Sequence, residues 1–424
     1  MVPRNVYKAI ILIGGPQKGT RFRPFSLDLP KPLFPVAGIP ILQHHVEACS
    51  RIPNIKEILV IGFYQHSQMS QFVSQLADEF NISIRYLQEF RSLGTAGGLY
   101  HFRDQILAGS PSMVIVINGD VCADFPLDEL IEFHASRSEE CFMTVTSTES
   151  TRSQSQNFGC LVIDPATSKL VHFVDKPSSF ISCHISCGVY ACSSEIFDVL
   201  TDIFRRKAAS FSWSEGNSDQ ESMSLESDVL SPFANSGRIA VFTTLRWWSQ
   251  VKTPAATIYA NRHYLTLYQK MHPERLPALS DKGPVLKGLC FIHPKAKVHA
   301  TAVIGPNVSI GPGVVIGAGA RILESIILRD AVIQDHAHVR YSIVGWDSTI
   351  GEWSRVEGTP DDPNPNRPFA KMENKSLFDT SGKLNPSISI LGSNVQVPPQ
   401  VIVLNSIVLP YKELSGSVKN EIIL

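Results

Sequence analysis

Residues 11–24, ILIGGPQKGTRFRP, run an apolar stretch into Gly14 and Gly15, and then through a loop to Gly19, Arg21 and Arg23. Paired glycines let backbone N–H groups approach an anion closely, and guanidinium groups pair with phosphate oxygens. In PKPL, Lys31 stands between two prolines, a stiff mount for a cation. Asn118, Gly119 and Asp120 close the apolar run MVIVIN, where a carboxylate at a strand end suits a Mg²⁺ ion. The segment Leu93 to Leu99, LGTAGGL, offers amides and the Thr95 hydroxyl to a flat base. DKP (Asp175 to Pro177) supplies a second rigid lysine, and CGVY (Cys187 to Tyr190) a glycine against which a sugar ring can lie. Each feature alone also fits ordinary structure: a turn, a solvated cation, an Asx turn, a helix start. Together they point to a phosphorylated ligand.

The elements that must position these residues alternate through the first 265 residues or so. VYKAIILI, KEILVIGF, ISIRYLQ and MVIVIN read as strands; IPILQHHVEACS, SQFVSQLADEF and TAGGLYHFRDQIL read as the helices between them. Continuous apolar runs suit a parallel sheet covered on both faces, and such sheets bind ligands at the carboxyl ends of their strands. The Ser-rich stretch 206–224 is expected to be a mobile surface loop. From Ile292 the texture changes: Ile292, Val298, Ile304, Ile310, Ile316, Ile322 and Leu328 recur every sixth residue, three of them followed by glycine. That period marks a parallel β-helix. Its register is expected to loosen after Gln334 and to resume near SISILG. A Pro- and Asn-rich insert, 358–386, interrupts the array, and inserts in repeat folds often bind. The expected organisation is an α/β domain, 1–285, followed by a β-helix, 286–424.

Bulk properties narrow the classes. The chain of 424 residues is 43% hydrophobic and 18% charged, with net charge −1. No basic footprint for nucleic acid and no membrane span are present in this pattern. The N-terminus reads as a first strand rather than a signal peptide, because its apolar run is short and ends in Gly-Gly. Of eight cysteines, Cys183, Cys187 and Cys192 cluster around His184, which invites a zinc reading. The alternation of ISCGVYAC argues instead for a strand with buried cysteines. A reducing, cytoplasmic compartment fits.

GG…GTRFRP, PKPL, LGTAGG, NGD and DKP, in that order and followed by hexapeptide repeats, resemble the sugar-1-phosphate nucleotidylyltransferases over nearly the whole chain. GTRFRPFSLDLPKPLFPVAG, YLQEF and GGLYHFRDQIL are most similar to mannose-1-phosphate guanylyltransferases, and the long insert and SIVLPYKEL to their regulatory alpha subunits. The resemblance implies a Rossmann-like nucleotidyltransferase domain with a left-handed β-helix. It implies GDP-mannose as ligand, a catalytic beta subunit as partner, and self-association. Carried over by position, Gly14, Gly15 and Arg21 face the phosphates and Lys31 the leaving group. Gln88, Glu89, Gly94 and Thr95 line the guanine. Asn118 and Asp120 sit at the metal end, and Gly159, Lys176 and Gly188 surround the mannose. The insert's Asp361, Asp362, Asn364, Asn366 and Arg367 form the candidate regulatory loop.

Three departures bear on catalysis. The family's active loop reads GG-x-GTR; here it is two residues longer. Gln250, in WWSQVKTPAA, stands where active members carry a second metal-binding Asp. Ser186 replaces the Asn of an INAG-like sugar motif. Losing a preorganised electrostatic group costs about 10²–10³ in rate, and misplacing phosphate-cradling amides about 10² more. The expected function is therefore that of a non-catalytic subunit, binding GDP-mannose and controlling the beta subunit by feedback inhibition. No cofactor is required, and Mg²⁺ at Asp120 is allowed. The alternative is an active guanylyltransferase using GTP and mannose 1-phosphate. A scaffold subunit of the translation-initiation exchange factor and a hexapeptide acyltransferase rank lower: the first would carry a helical exchange domain, and the second an acyl-carrier site.

Overall fold

The computed structural model describes residues 6–209, 222–278, 283–373 and 375–424. Contacts divide the chain into two compact units. The first comprises the chain up to Lys18, Leu42–Trp248 and Asn364–Lys371; the second comprises Gly19–Ile41, Ser249–Pro363 and Met372–Leu424. The units are thus interleaved in sequence.

In the first unit, a nine-stranded sheet has a parallel centre. Tyr7–Gly14 lies between Ile55–Gly62 and Met113–Asn118, and Ser83–Gln88 extends it on one side. His184–Cys192 then pairs antiparallel with Met113–Asn118, and carries Met143–Glu149 and Gly159–Ile163 beyond it. The first five residues of MVIVIN are all buried, as a strand covered on both faces requires. Ile41–Ser50, His66–Phe80 and Gly94–His101 are helical where the 3.6-residue pattern places them.

The Ser-rich stretch needs correcting at both ends. Arg206 and Lys207 finish the helix Ile196–Ala209, and Met223, 1% exposed, enters the core. Residues 210–221 lie outside the described residues. The polar composition hid an apolar anchor, because a single methionine barely alters the average over the window.

The second unit is a parallel β-helix of three sheets, with seven, seven and five strands. Stacking buries Ile304, Ile310, Ile316, Ile322, Val339, Ile350 and Val403 in one aliphatic column. The six-residue phase slips earlier than the sequence suggests. Ile310 pairs with Ile327, not with Leu328. The corner at Glu324, in the left-handed region with φ 45°, is one residue shorter than the preceding Gly305–Pro306–Asn307 corner. It is held by Glu324 N–H donating to the Pro306 carbonyl (2.8 Å) and by Asn307 Nδ2 donating to Glu324 Oε1 (2.9 Å). The insert leaves after Arg355–Glu357 and returns at Ser389–Leu391 without breaking the stack. Ser342 pairs with Ser389, and Thr359 N–H donates to the Ser387 carbonyl across the insert's neck.

Gly19–Ile41 belongs to this unit for physical reasons. Phe22, Phe25 and Phe34 cluster, and Phe25 meets Trp346 edge-on at 5.7 Å. Asn261, fully buried on the helix Pro254–Met271, accepts from Ala37 N–H (2.9 Å) and donates to the Asn307 carbonyl (3.0 Å). Among the described residues no helix is long and apolar enough to cross a membrane.

Candidate functional site

Within the first unit, the carboxyl ends of Tyr7–Gly14 and Met113–Asn118 come together. Gly119 N–H donates to the Leu12 carbonyl (2.8 Å), and Phe63 N–H to that of Gly14 (2.7 Å). A Cβ on Gly15 would meet Phe63 at 2.8 Å, so the backbone there must stay bare. Gly188, at φ 70°, sits at an irregularity in the pairing of His184–Cys192 with Met143–Glu149. A Cβ on it would stand 2.7 Å from Asn118 Nδ2. Asn118 Oδ1 is buried and accepts no hydrogen bond from the described residues. Gly159 pairs with Asp175, and Lys176 follows at φ 45° with its ammonium 3.2 Å from the Asp175 carboxylate. Gly14, Gly15, Asn118, Asp120, Gly159, Lys176 and Gly188 thus share one rim of one sheet, and Ser186 Cβ lies beside Gly159.

The residues expected on the guanine side make contacts within the protein. Gln88 accepts a hydrogen bond from His66 N–H (2.9 Å), at the start of the helix His66–Phe80. Glu89 is buried, and Gly98 must lack a Cβ to make room for its carboxylate. Gly94, at φ 81°, lies against the Met223 carbonyl, which also accepts from Ala96 N–H (3.0 Å) and Gly97 N–H (3.1 Å). Thr95 Oγ1 accepts from Leu225 N–H (2.8 Å) and donates to Glu226 Oε2 (3.0 Å). The amides and hydroxyl expected to face a base are therefore engaged by residues 223–226. A helix start must satisfy its orphan N–H groups, and a nearby carbonyl does so without a ligand. Nothing in the polar sequence around Met223 signalled this.

The lengthened loop forms a 3₁₀ helix, Pro16–Phe22. Arg21, Lys31 and Gln250 belong to the second unit. Arg21 and Arg23 line a cleft of about 730 Å³ with Thr253, Asp361, Glu373 and Ile390, so Arg21 faces the insert's base. Lys31 is half-buried in the short 3₁₀ turn Lys31–Leu33, with Pro32 buried beside it.

The insert is held rather than loose. Asp361 accepts from Lys375 Nζ (2.6 Å) and Ser387 Oγ (3.0 Å), and Asp362 from Arg262 (3.0 Å). Asn364 Oδ1 caps a turn through Asn366 N–H (3.0 Å). Within the first unit, Lys371 reaches Thr148 Oγ1 (3.4 Å) and lies over the Trp248 ring at 5.9 Å. Burial lowers the pKa of its ammonium below the usual lysine value, opposed by the nearby Cys187 and Glu149. Lys371 is a functional candidate that sequence reasoning missed; lysine in a polar insert gives no sign of burial.

As for metal, burial pushes the Cys187 and Cys192 thiols up to about 12, so both behave as small apolar groups rather than as thiolate ligands. Among the described residues no three His, Cys, Asp or Glu side chains cluster to hold an ion, and at this rim Asp120 is the one carboxylate that the sequence singled out for Mg²⁺.

Comparison with known proteins identifies the family. The pattern described as "Nucleotidyl transferase" matches residues 8–264, and "GMPPB C-terminal domain" matches residues 286–423. A Drosophila melanogaster protein named mannose-1-phosphate guanylyltransferase regulatory subunit alpha is 56% identical over 436 residues. Proteins of the same name from Xenopus tropicalis and Homo sapiens are each 53% identical, over 420 and 421 residues. All three alignments cover 98% of this chain and 100% of the relative. The chain belongs to this family of regulatory alpha subunits. As a regulatory alpha subunit, it keeps the nucleotidyltransferase fold and places Gln250, an amide, at the end of the short strand Trp248–Gln250.

Proposed function

We propose that this chain binds GDP-mannose at the strand-end rim of its first unit and regulates a catalytic mannose-1-phosphate guanylyltransferase subunit by feedback inhibition. The observation that carries the reading is the joint placement of Asn118, Asp120, Gly159, Lys176 and Gly188 along one sheet rim, in a family whose members are named as regulatory subunits. Bare glycines and a rigid lysine suit a sugar and its phosphate, while Gln250 lacks the charge that a second metal ligand would supply. Nucleotidyl transfer depends on charge neutralisation at phosphorus, so binding outlasts turnover when a carboxylate is replaced by an amide. The insert, anchored through Asp361 and Asp362, is the element proposed to touch the partner, and ligand acts by favouring one arrangement of it. A cytoplasmic location and self-association complete the proposal.

The test is to purify the chain alone and with the catalytic beta subunit, and to measure GDP-mannose binding and synthesis in both. The expected outcome is saturable binding without synthesis by the isolated chain, and a ligand-dependent fall in the partner's rate. Robust Mg²⁺-dependent synthesis by the isolated chain sinks the reading, as does a partner whose rate ignores this subunit.

A further inference from the structure

A second cavity, of about 470 Å³, opens in the first unit and is lined by Thr151, Arg152, Ser153, Gln156, Phe180 and Arg367. It shares no residue with the sheet rim described above. Its lining holds two guanidinium groups and no carboxylate, and among the described residues neither Arg152 nor Arg367 makes an ion pair. Both arginines are exposed, so their guanidinium groups are accessible to an anion from solvent.

The walls are built from two segments far apart in the chain, each fixed by its own hydrogen bonds. On one side, Gln154 N–H donates to the Thr151 carbonyl (3.0 Å), Thr151 Oγ1 to Gln154 Oε1 (3.0 Å), and Ser155 Oγ to the Arg152 carbonyl (3.2 Å). Arg152 lies over the Phe180 ring at 4.5 Å, which orients the guanidinium plane. On the other side, Arg367 sits in a turn: its N–H donates to the Asn364 carbonyl (3.1 Å), and its own carbonyl accepts from Ala370 N–H (3.3 Å). The segments are joined by Gln154 and Lys371, whose two mutual hydrogen bonds fix how the Arg367 wall meets the Arg152 wall.

We propose that this cavity binds a small phosphomonoester dianion, with Arg152 and Arg367 pairing its oxygens. Two guanidiniums match a dianion in charge, and their planar forks favour phosphate over a single carboxylate. The cavity volume admits a molecule of sugar-phosphate size, and Phe180 offers an apolar face for its ring. The assignment is independent of the GDP-mannose reading.

Phenylglyoxal, which modifies accessible guanidinium groups, tests this on the full chain with peptide mass mapping. Inorganic phosphate and mannose 1-phosphate, at matched ionic strength against chloride and neutral mannose, are expected to slow modification of Arg152 and Arg367 by about fivefold or more, without protecting exposed Arg205. Stronger protection by mannose 1-phosphate than by phosphate assigns the ring to Phe180; equal protection assigns bare phosphate. Calorimetry should show phosphate binding weakened about tenfold or more in Arg152→Ala and in Arg367→Ala. Both variants should retain GDP-mannose binding. Protection by neither phosphate compound overturns the proposal. So does phosphate binding unchanged in the double variant, or protection lost in Lys176→Ala, which would place the anion at the sheet rim.

Discussion

The side-chain amide of Gln154 holds Lys371 at both of its backbone polar groups: Nε2 donates to the Lys371 carbonyl (2.7 Å), and Oε1 accepts from the Lys371 N–H (2.9 Å). Gln154 is buried, so this is a two-point anchor for a segment that the sequence shows only as part of a polar insert. A buried hydrogen bond contributes about 0.5–1.5 kcal/mol net, and an orphaned partner costs about 1–3 kcal/mol. Gln154→Ala should therefore speed amide exchange in residues 364–371 by about tenfold or more while leaving exchange in the β-helix unchanged. Equal exchange rates in the variant and the parent would show that the anchor adds nothing.

Thr95 ties the helix Gly94–His101 to residues 225 and 226 through a hydroxyl used as both donor and acceptor. Thr95→Val keeps the shape but orphans the Leu225 N–H and removes one of the hydroxyls that the Glu226 carboxylate accepts from, leaving it those of Ser224 and Tyr190. The expected loss is about 1–3 kcal/mol. Thr95→Ser keeps the hydroxyl and should recover most of the loss. Urea unfolding, comparing midpoints for the two variants, decides it; equal midpoints would mean that the contact carries no stability.

His134 gives the fold a pH dependence. It is 1% exposed, with Nδ1 2.8 Å from Thr144 Oγ1, and burial lowers its pKa to about 4 from the usual 6.5. Between these values the unfolded chain holds a proton that the folded chain does not, so folding weakens as pH falls through 6.5 and continues to weaken down to about 4. A shift from 6.5 to about 4 corresponds to about 3 kcal/mol or slightly more at full development. His134→Gln should flatten the dependence between pH 7 and pH 5 by a large part of that amount. An unaltered slope in urea titrations at the two pH values would rule His134 out as its source.

Stacked coils make the β-helix core sensitive to cavities and its outer face tolerant. Ile350 is fully buried and Val315 is 40% exposed. Ile350→Ala should cost about 2–5 kcal/mol, whereas Val315→Ala should fall within about 0.5 kcal/mol. Chemical denaturation of each variant provides the check.

The sequence makes legible those features that repeat or that depend on local chemistry. Ile304, Ile310, Ile316 and Ile322 announce the β-helix because each coil needs the same aliphatic at the same place. Gly14, Gly15, Asn118 and Gly188 announce the rim because only such residues tolerate its backbone and close approaches. The corner at Glu324 escapes the six-residue count because a one-residue deletion shifts phase without changing composition. Met223 and Lys371 escape for a different reason. Each is a lone residue in a polar stretch, and its burial is decided by segments distant in the chain: Leu93 and Gly94 for the first, Gln154 and Trp248 for the second. Periodicity carries no information about such contacts.

The insert therefore has two parts with different consequences. Residues 364–371 belong to the first unit, where Lys371 covers Trp248 and completes the bonding of Gln154. Residues 375–384 belong to the second unit and fold back on themselves through the Phe378–Leu384 bridge. A Gly-Ser replacement of 364–371, equal in length, strips the Lys371 side chain from the Trp248 face and from Thr148, and leaves a more flexible backbone to present the N–H and carbonyl that Gln154 holds. The cost should be about 1–3 kcal/mol, from the uncovered aromatic surface and the entropy of the glycine-rich backbone. For a unit of this size that lowers the melting temperature by several degrees. The same replacement over 376–383, which spares Lys375 and the buried Leu384, removes exposed side chains such as Leu377 and Phe378, and should leave the melting temperature nearly unchanged. Calorimetric scans of the two variants separate an insert that builds its own subunit from one that is merely carried by it. If both melt with the parent, Asn364–Lys371 is a passive covering, and the regulatory part of the insert must be sought wholly in its interaction with the partner.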